Sequence, residues 1–423
     1  MEWMAEQSKR NEYNPWFSRL LFLDYFLVVS DPKMVSEILA NSEDFPRSYH
    51  FDVDKMLFGG DILFAIHGPI WKLHRKIMNP FFATNKQKKN FGIVQELAIK
   101  ATSKLDHYSA TGEVFDLYLV LTALTCDVIC RFIFGRDFGC LDGDQHGIQR
   151  FYRTVISEAS LMHKVPLYAW LPLPQRIRFL TERARVQRFL LSEIARAPAD
   201  TLAGAVLRSG ELTTSELCTE ILGLVFAGHD TTASALAFCL GKFLPAAPDA
   251  AAAVRAEAAA QPADLARWTP DDARCPAADA AFRETLRLVP PGCAHPVQAA
   301  ADARVCGQLI RRGTPVLANY HAAYRDPRHF GPDADAFRPA RWTDGTVDAC
   351  ARATGLPAAR AFAPFLSMSP HACLGRPIAE LEAGLLVAAW VRRYDFVPEG
   401  PPPKELVGAT LCPEHMRVRA LRL

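Results

Sequence analysis

Pro364-Phe365-Leu366-Ser367-Met368-Ser369-Pro370-His371-Ala372-Cys373-Leu374-Gly375-Arg376-Pro377 is the stretch around which the rest of the chain is organised. Small and turn-prone residues precede Cys373, and Gly375 follows it. Pro377 opens an apolar segment, Ile378 to Trp390, that suits a buried helix. The sulfur therefore falls at a helix N-terminus. Unpaired backbone amides and the helix dipole favour negative charge there, which lowers a thiol pKa and makes the thiolate a ready metal ligand. With no second Cys or His at zinc spacing beside it, this thiolate suits a haem iron better than a zinc ion.

The 423 residues fit one large domain or two, and the 50% that are hydrophobic are ample for a buried core. A formal net charge of +2 gives no argument for a nucleic-acid partner. Eleven cysteines, an odd number without repeating spacing, disfavour a disulfide framework and favour a reducing compartment. Cys126 and Cys130, four apart on an expected helix, read as core packing. The polar, mixed-charge N-terminus has no secretory signal. Leu20 to Ser30 is apolar but holds Asp24 and is too short to span a bilayer, so it reads as paired strands. Leu117 to Phe134, preceded by Asp116 and containing Asp127, reads as a core helix.

Other stretches carry chemistry. In His67-Gly68-Pro69-Ile70-Trp71-Lys72-Leu73-His74-Arg75-Lys76, a helix puts Trp71 and Arg75 on one face. Thr213 and Glu216 form a capping box ahead of a long apolar helix running to Pro245. That helix contains Ala227-Gly228-His229-Asp230-Thr231-Thr232, and a glycine with two threonines weakens it locally. Glu284-Thr285-Leu286-Arg287 is an ordinary helical ion-pair spacing on its own. Phe337-Arg338-Pro339-Ala340-Arg341-Trp342 follows later, after turn and strand signals between Val297 and Phe337.

Taken in order, these stretches resemble the motifs of the cytochrome P-450 superfamily, nearer its eukaryotic microsomal members. The usual ligand loop is Phe-x-x-Gly-x-Arg-x-Cys-x-Gly. Cys373 and Gly375 match it, His371 stands at the usual Arg, and Leu366 and Ser369 replace the usual Phe and Gly. The resemblance implies a mainly α fold, a single domain over 1–423 with a small β-rich region. It also implies haem b bound through the Cys373 thiolate, with Trp71 and Arg75 holding a propionate. Many relatives have an Arg near Val297 for the same purpose. Here His371 is the better substitute and His295 the second choice.

The same resemblance assigns oxygen activation to the long helix: Gly228 leaves room for dioxygen, Thr231 hydrogen-bonds the iron-bound peroxide, and Asp230 belongs to the proton relay, so that acid and hydroxyl converge in a dry pocket. Glu284, Arg287 and Arg341 form a buried lock that holds the haem core in shape. The implied reaction inserts one atom of O2 into an apolar organic substrate, using electrons from NADPH through a separate flavoprotein reductase. Lys72, Lys76, Lys86, Lys88 and Lys89 are the candidate docking site for that acidic donor. The alternatives are a non-oxygenating haem-binding protein and a peroxide-using rearrangement enzyme of the same fold. The expected location is the cytoplasm, or the cytoplasmic face of the endoplasmic reticulum in a eukaryote, with no transmembrane segment in this sequence.

Overall fold

The computed structural model describes residues 1–19, 25–47, 52–83 and 87–423. The helices that build the site are α1 (Gly68–Met78), α2 (Gln87–Thr111), α3 (Leu117–Phe134), α4 (Ile148–Lys164), α5 (Pro174–Arg196), α6 (Thr214–Phe238), α7 (Pro276–Leu288) and α8 (Arg376–Arg393). The strands are short. They are β1 (Trp16–Arg19), β2 (Tyr25–Val29), β3 (Phe115–Asp116), β4 (Ala294–Gln298), β5 (Ala303–Val305), β6 (Gln308–Ile310), β7 (Pro315–Asn319), β8 (Tyr394–Pro398), β9 (Glu405–Val407), β10 (Leu411–Pro413) and β11 (Arg417–Arg422).

Local chemistry starts and stops the central helices. The Asp116 carboxylate accepts from the Tyr118 amide to begin α3, and Gly135, at φ 78°, ends it in the left-handed conformation that glycine adopts without strain. The Thr213–Glu216 capping box forms as the sequence requires, worth about 1 kcal/mol to the start of α6. A π-helical turn, Cys239–Phe243, extends α6. Leu117–Phe134 and Thr214–Phe243 are, among the described residues, long and apolar enough to cross a membrane. Yet 83% and 78% of their apolar windows are buried inside the protein, so both are core helices.

α3 lies along α6, and Gly228 lets them approach closely. A Cβ there would meet Ile129 Cγ1 of α3 at 2.7 Å. α8 packs against α7 and α2. Its fully buried Trp390 donates from Nε1 to Thr102 Oγ1 of α2 at 2.9 Å, so the polar edge of the ring is satisfied inside the core.

The β-rich part frames this helical body. One sheet has the order β1-β2-β7-β4. β1 pairs antiparallel with β2, β2 parallel with β7 and β4 antiparallel with β7. The expected strand pair over Leu20 to Ser30 is thus formed with an earlier partner strand, while residues 20–24 lie outside the described ones. β11 pairs with β8 and β3, and β9 and β10 form a hairpin. This C-terminal region is tied to α6, for Ser234 Oγ donates to the Leu411 carbonyl at 2.8 Å.

Candidate active site

The Cys373 loop, the start of α8, the middle of α6, α3 and α1 meet at one mostly apolar pocket. Hydrogen bonds within the chain shape the loop. The Cys373 amide donates to the Phe365 carbonyl at 2.9 Å, and the Ser369 amide to the Leu366 carbonyl at 2.9 Å. Ser369 Oγ in turn accepts from the His371 amide at 3.1 Å, so the residue in the usual glycine position adds a bond. Leu366 takes φ 54°, a left-handed backbone that costs a leucine roughly 1–2 kcal/mol.

Cys373 opens onto the pocket, while protein encloses the thiol on its other sides. Enclosure dominates and raises its pKa. The amides of Gly375 and Arg376 and the guanidiniums of Arg75 and Arg376 pull it down. This corrects the lowered pKa anticipated from the helix N-terminus: the amides are placed as the sequence requires, but burial outweighs them. An iron ligand here is exchanged for a proton on binding.

α1 brings both of its candidate residues to the site. The Trp71 ring lies 4.2 Å, centroid to centroid, from the His371 ring, and Arg75 Nη1 donates to the Ala372 carbonyl at 2.5 Å. His371 faces the pocket, and its buried Nδ1 has no hydrogen-bond partner. Burial, then Arg47, Arg75 and His67, push its pKa down to about 3, so the ring is neutral at physiological pH.

Arg47 is the group that sequence reasoning missed. Its Nη1 donates to the Leu63 and Ile66 carbonyls at 2.9 Å, and it lines the pocket. Its backbone bridges to Val297, the very position where an arginine was sought. The cation is therefore supplied from an adjacent segment. His295 sits on β4 under the influence of the same charges, and burial with Arg47 and His371 lowers its pKa to about 3. Glu382 of α8 was missed as well. It lines the pocket, both of its buried carboxyl oxygens lack a partner, and burial raises its pKa well above the usual range. The signal was an acid inside an otherwise apolar run.

On α6, Thr231 lines the pocket, and its hydroxyl donates to the Ala227 carbonyl at 2.8 Å. Asp230 does not join it there. Its carboxylate is buried away from the pocket, accepting from Tyr118 Oη at 2.6 Å and from Thr410 Oγ1. The anticipated convergence of acid and hydroxyl is thus not the arrangement found, because two hydroxyls hold the acid elsewhere. Gly228 lines the pocket, and its missing Cβ makes room for Ile129 of α3.

Away from the pocket lining, Glu284, Arg287 and Arg341 are each fully buried. Glu284 accepts from Arg287 at 2.8 and 3.0 Å, from Arg341 Nε at 2.7 Å and from Trp342 Nε1 at 3.0 Å. Lys72 and Lys76 are exposed on α1, Lys86 lies outside the described residues, and so do the side chains of Lys88 and Lys89.

A soft sulfur donor inside an apolar slot, with guanidiniums and a neutral imidazole donor at the rim, suits an iron porphyrin whose acidic arms reach that rim. The chain is of the haem-thiolate class. It belongs to the cytochrome P450 family, whose model matches residues 4–416. It is 28% identical to cytochrome P450 734A1 of Arabidopsis thaliana, over 88% of this chain and 73% of that one. It is also 28% identical to cytochrome P450 714C3 of Oryza sativa subsp. japonica, over 92% and 78%. A third relative is the self-sufficient cytochrome P450 monooxygenase CYP505AG1 of Oidiodendron maius, 26% identical over 83% of this chain and 33% of that one. In general terms, then, the protein is a haem-thiolate monooxygenase that uses dioxygen and a redox partner.

Proposed function

We propose that this protein is one domain that inserts an oxygen atom from O2 into an apolar organic substrate, with electrons from NADPH delivered by a separate flavoprotein reductase. The observation that carries the reading is the meeting of Cys373 and Thr231 in one apolar pocket. Cys373 holds the iron, and Arg47, Arg75 and His371 hold the carboxylate arms. When bound, the haem supplies the electron-transfer and oxygen chemistry, and thiolate donation favours O–O cleavage. Thr231 spends its own proton on Ala227, so its oxygen is left to accept a hydrogen bond from a group in the pocket. Val128, Ile129, Leu224 and Phe82 keep water out and favour an apolar substrate.

The electron donor docks by charge at Lys72 and Lys76, which are exposed on the helix whose Arg75 touches the Cys373 loop. Reduction by the reductase should therefore slow as salt is raised. An apolar lip of Leu167, Trp170 and Ile177, 71%, 77% and 51% exposed, supports a seat against a membrane surface such as the cytoplasmic face of the endoplasmic reticulum.

The test is the absorption spectrum of the protein reduced with dithionite and exposed to carbon monoxide. A strongly red-shifted Soret band is expected, and it should be lost in Cys373→Ser. A band typical of His-ligated haem, or none, would refute the reading. Substrate-dependent consumption of NADPH and dioxygen with a reductase then separates oxygenation from a peroxide-using or purely haem-binding role.

A further inference from the structure

Residues 61–66, the segment that leads into α1, form one wall of the pocket through Leu63 and Phe64. The segment turns tightly, with the Ala65 and Ile66 amides donating to the Ile62 carbonyl at 2.8 and 3.1 Å. Leu63 ties it to the helical body, because its amide and its carbonyl are both held. The amide donates to Glu220 Oε2 of α6 at 3.1 Å, and the carbonyl accepts from Arg47 Nη1 at 2.9 Å. Glu220 is 1% exposed, and its other oxygen meets His74 Nδ1 of α1 at 2.5 Å. One carboxyl group thus joins α6, α1 and the wall. Packing leaves the wall little slack beyond these bonds. Gly223 lies one turn along α6 from Glu220, and a Cβ there would sit 3.1 Å from Ile62 Cγ2 and 3.4 Å from Phe64 Cε1. The Phe64 ring stands edge-on to Phe58, centroids 5.8 Å apart, and Phe58 packs on Phe226 of α6 at 5.4 Å.

We propose that Glu220 is a positioning residue for the substrate pocket: by holding the Leu63 amide, with His74 orienting its carboxyl group, it sets how bulky a molecule the pocket admits. The proposal rests on the monooxygenase reading above, which makes this pocket the place of the apolar substrate. A buried amide without an acceptor is costly, so Leu63 stays where Glu220 can receive it and moves towards other acceptors once that oxygen is gone. Leu63 and Phe64 present only hydrocarbon, so the wall selects by bulk rather than by charge.

The experiment titrates the haem-loaded protein, reduced with dithionite, with ethyl isocyanide and with cyclohexyl isocyanide. Both are neutral ligands of ferrous haem that do not titrate, and they differ in bulk. A change at the iron moves both affinities alike, so their ratio reads the wall. Glu220→Leu removes the acceptor and should shift the ratio about tenfold in favour of cyclohexyl isocyanide, the low end for a hydrogen bond to a charged group. Glu220→Gln keeps an oxygen for Leu63 and a polar partner for His74, and should leave the ratio near its wild-type value. His74→Gln keeps the carboxyl group but takes away its imidazole partner. It should shift the ratio in the same direction by less, and it decides the matter where Glu220→Leu does not fold. A wild-type ratio in Glu220→Leu or, failing that variant, in His74→Gln would overturn the proposal. So would Glu220→Gln shifted as far as Glu220→Leu, since loss of the acceptor would then not be the cause. A second readout needs no chemistry at iron. Hydrogen exchange of residues 61–66 should quicken in Glu220→Leu but not in Glu220→Gln, and unchanged exchange in Glu220→Leu also counts against the proposal. Failure of the carbon monoxide band in the wild type would sink the haem-thiolate reading instead, and the exchange measurement would still decide whether Glu220 holds the wall.

Discussion

Glu284, Arg287 and Arg341 on one side, and Arg47, Arg75 and His371 on the other, both gather polar groups inside the protein, but only the second group lines the pocket. Arg287 spends its guanidinium on Glu284 and on the carbonyls of Tyr324, Ala334 and Ala336. Arg341 does the same with Glu284, Asp333 and the carbonyls of Phe330, Asp333 and Ala336. In the second group the described hydrogen bonds of Arg47 and Arg75 include ones to carbonyl oxygens, and the buried Nδ1 of His371 has no hydrogen-bond partner among the described residues. The nearby acid Asp54 is raised by burial to about 7, which weakens it as a counter-charge for Arg47. A set turned inward on its own chain belongs to the fold, whereas a cationic set lining a pocket suits an anion.

The largest expected effect breaks the complete set. Glu284→Ala strands two buried guanidiniums, at a cost of about 3–5 kcal/mol. Against a typical stability of roughly 5–15 kcal/mol, that is enough to lose haem and much of the folded protein. Urea denaturation and haem per chain measure it, and a variant with full haem and an unchanged midpoint would show the lock to be dispensable.

The pocket-lining set should respond differently, losing ligand rather than fold. Arg47→Leu and Arg75→Leu each remove a charged hydrogen-bonding group worth about 1.5–3 kcal/mol to a carboxylate, so haem affinity should drop roughly 10- to 150-fold with the far-UV spectrum intact. His371→Leu should cost less, because its ring is neutral. Titration of stripped protein with haem checks both. Wild-type affinity in Arg47→Leu would remove that arginine from the set.

A further buried pair joins His74 on α1 and Glu220 on α6, 2.5 Å apart, with Asp61 and Glu216 as further charged neighbours. The hydrogen bond to Glu220, opposed by burial, raises His74, while burial raises Glu220 and its bond to His74 pulls the other way. Both shifts are upward, so the folded protein holds on to protons that the unfolded chain has already released. The Glu220 contribution therefore starts to fade above the ordinary carboxyl value of 4.5 and the His74 contribution above the ordinary histidine value of 6.5, each being lost as pH rises through its folded value. His74→Gln should lack that alkaline decline in Tm. Parallel profiles for variant and wild type would exclude the raised His74.

Local motifs made much of this legible. The Thr213–Glu216 cap, the core helix at Leu117–Phe134 and the Glu284–Arg287 spacing depend on neighbours within a turn or on composition, and each appears as the sequence implies. Arg47 was not legible, because its place beside Val297 comes from a backbone bridge between distant segments. Asp230 was read correctly as a helix residue beside Thr231 but not for its company, since Tyr118 and Thr410 stand 112 and 180 residues away. Periodicity reports which face of a helix is apolar, and it is silent on which remote hydroxyl comes to meet a buried acid.

The motifs end at Gly375, yet the fold continues to use the chain beyond them. A fragment cut after Val407 would carry every signature residue and still lack Thr410, the Leu411 carbonyl that receives Ser234, and the strand β11 that ties Phe115 to Tyr394. The shortest piece that looks complete is therefore not the shortest piece that can work.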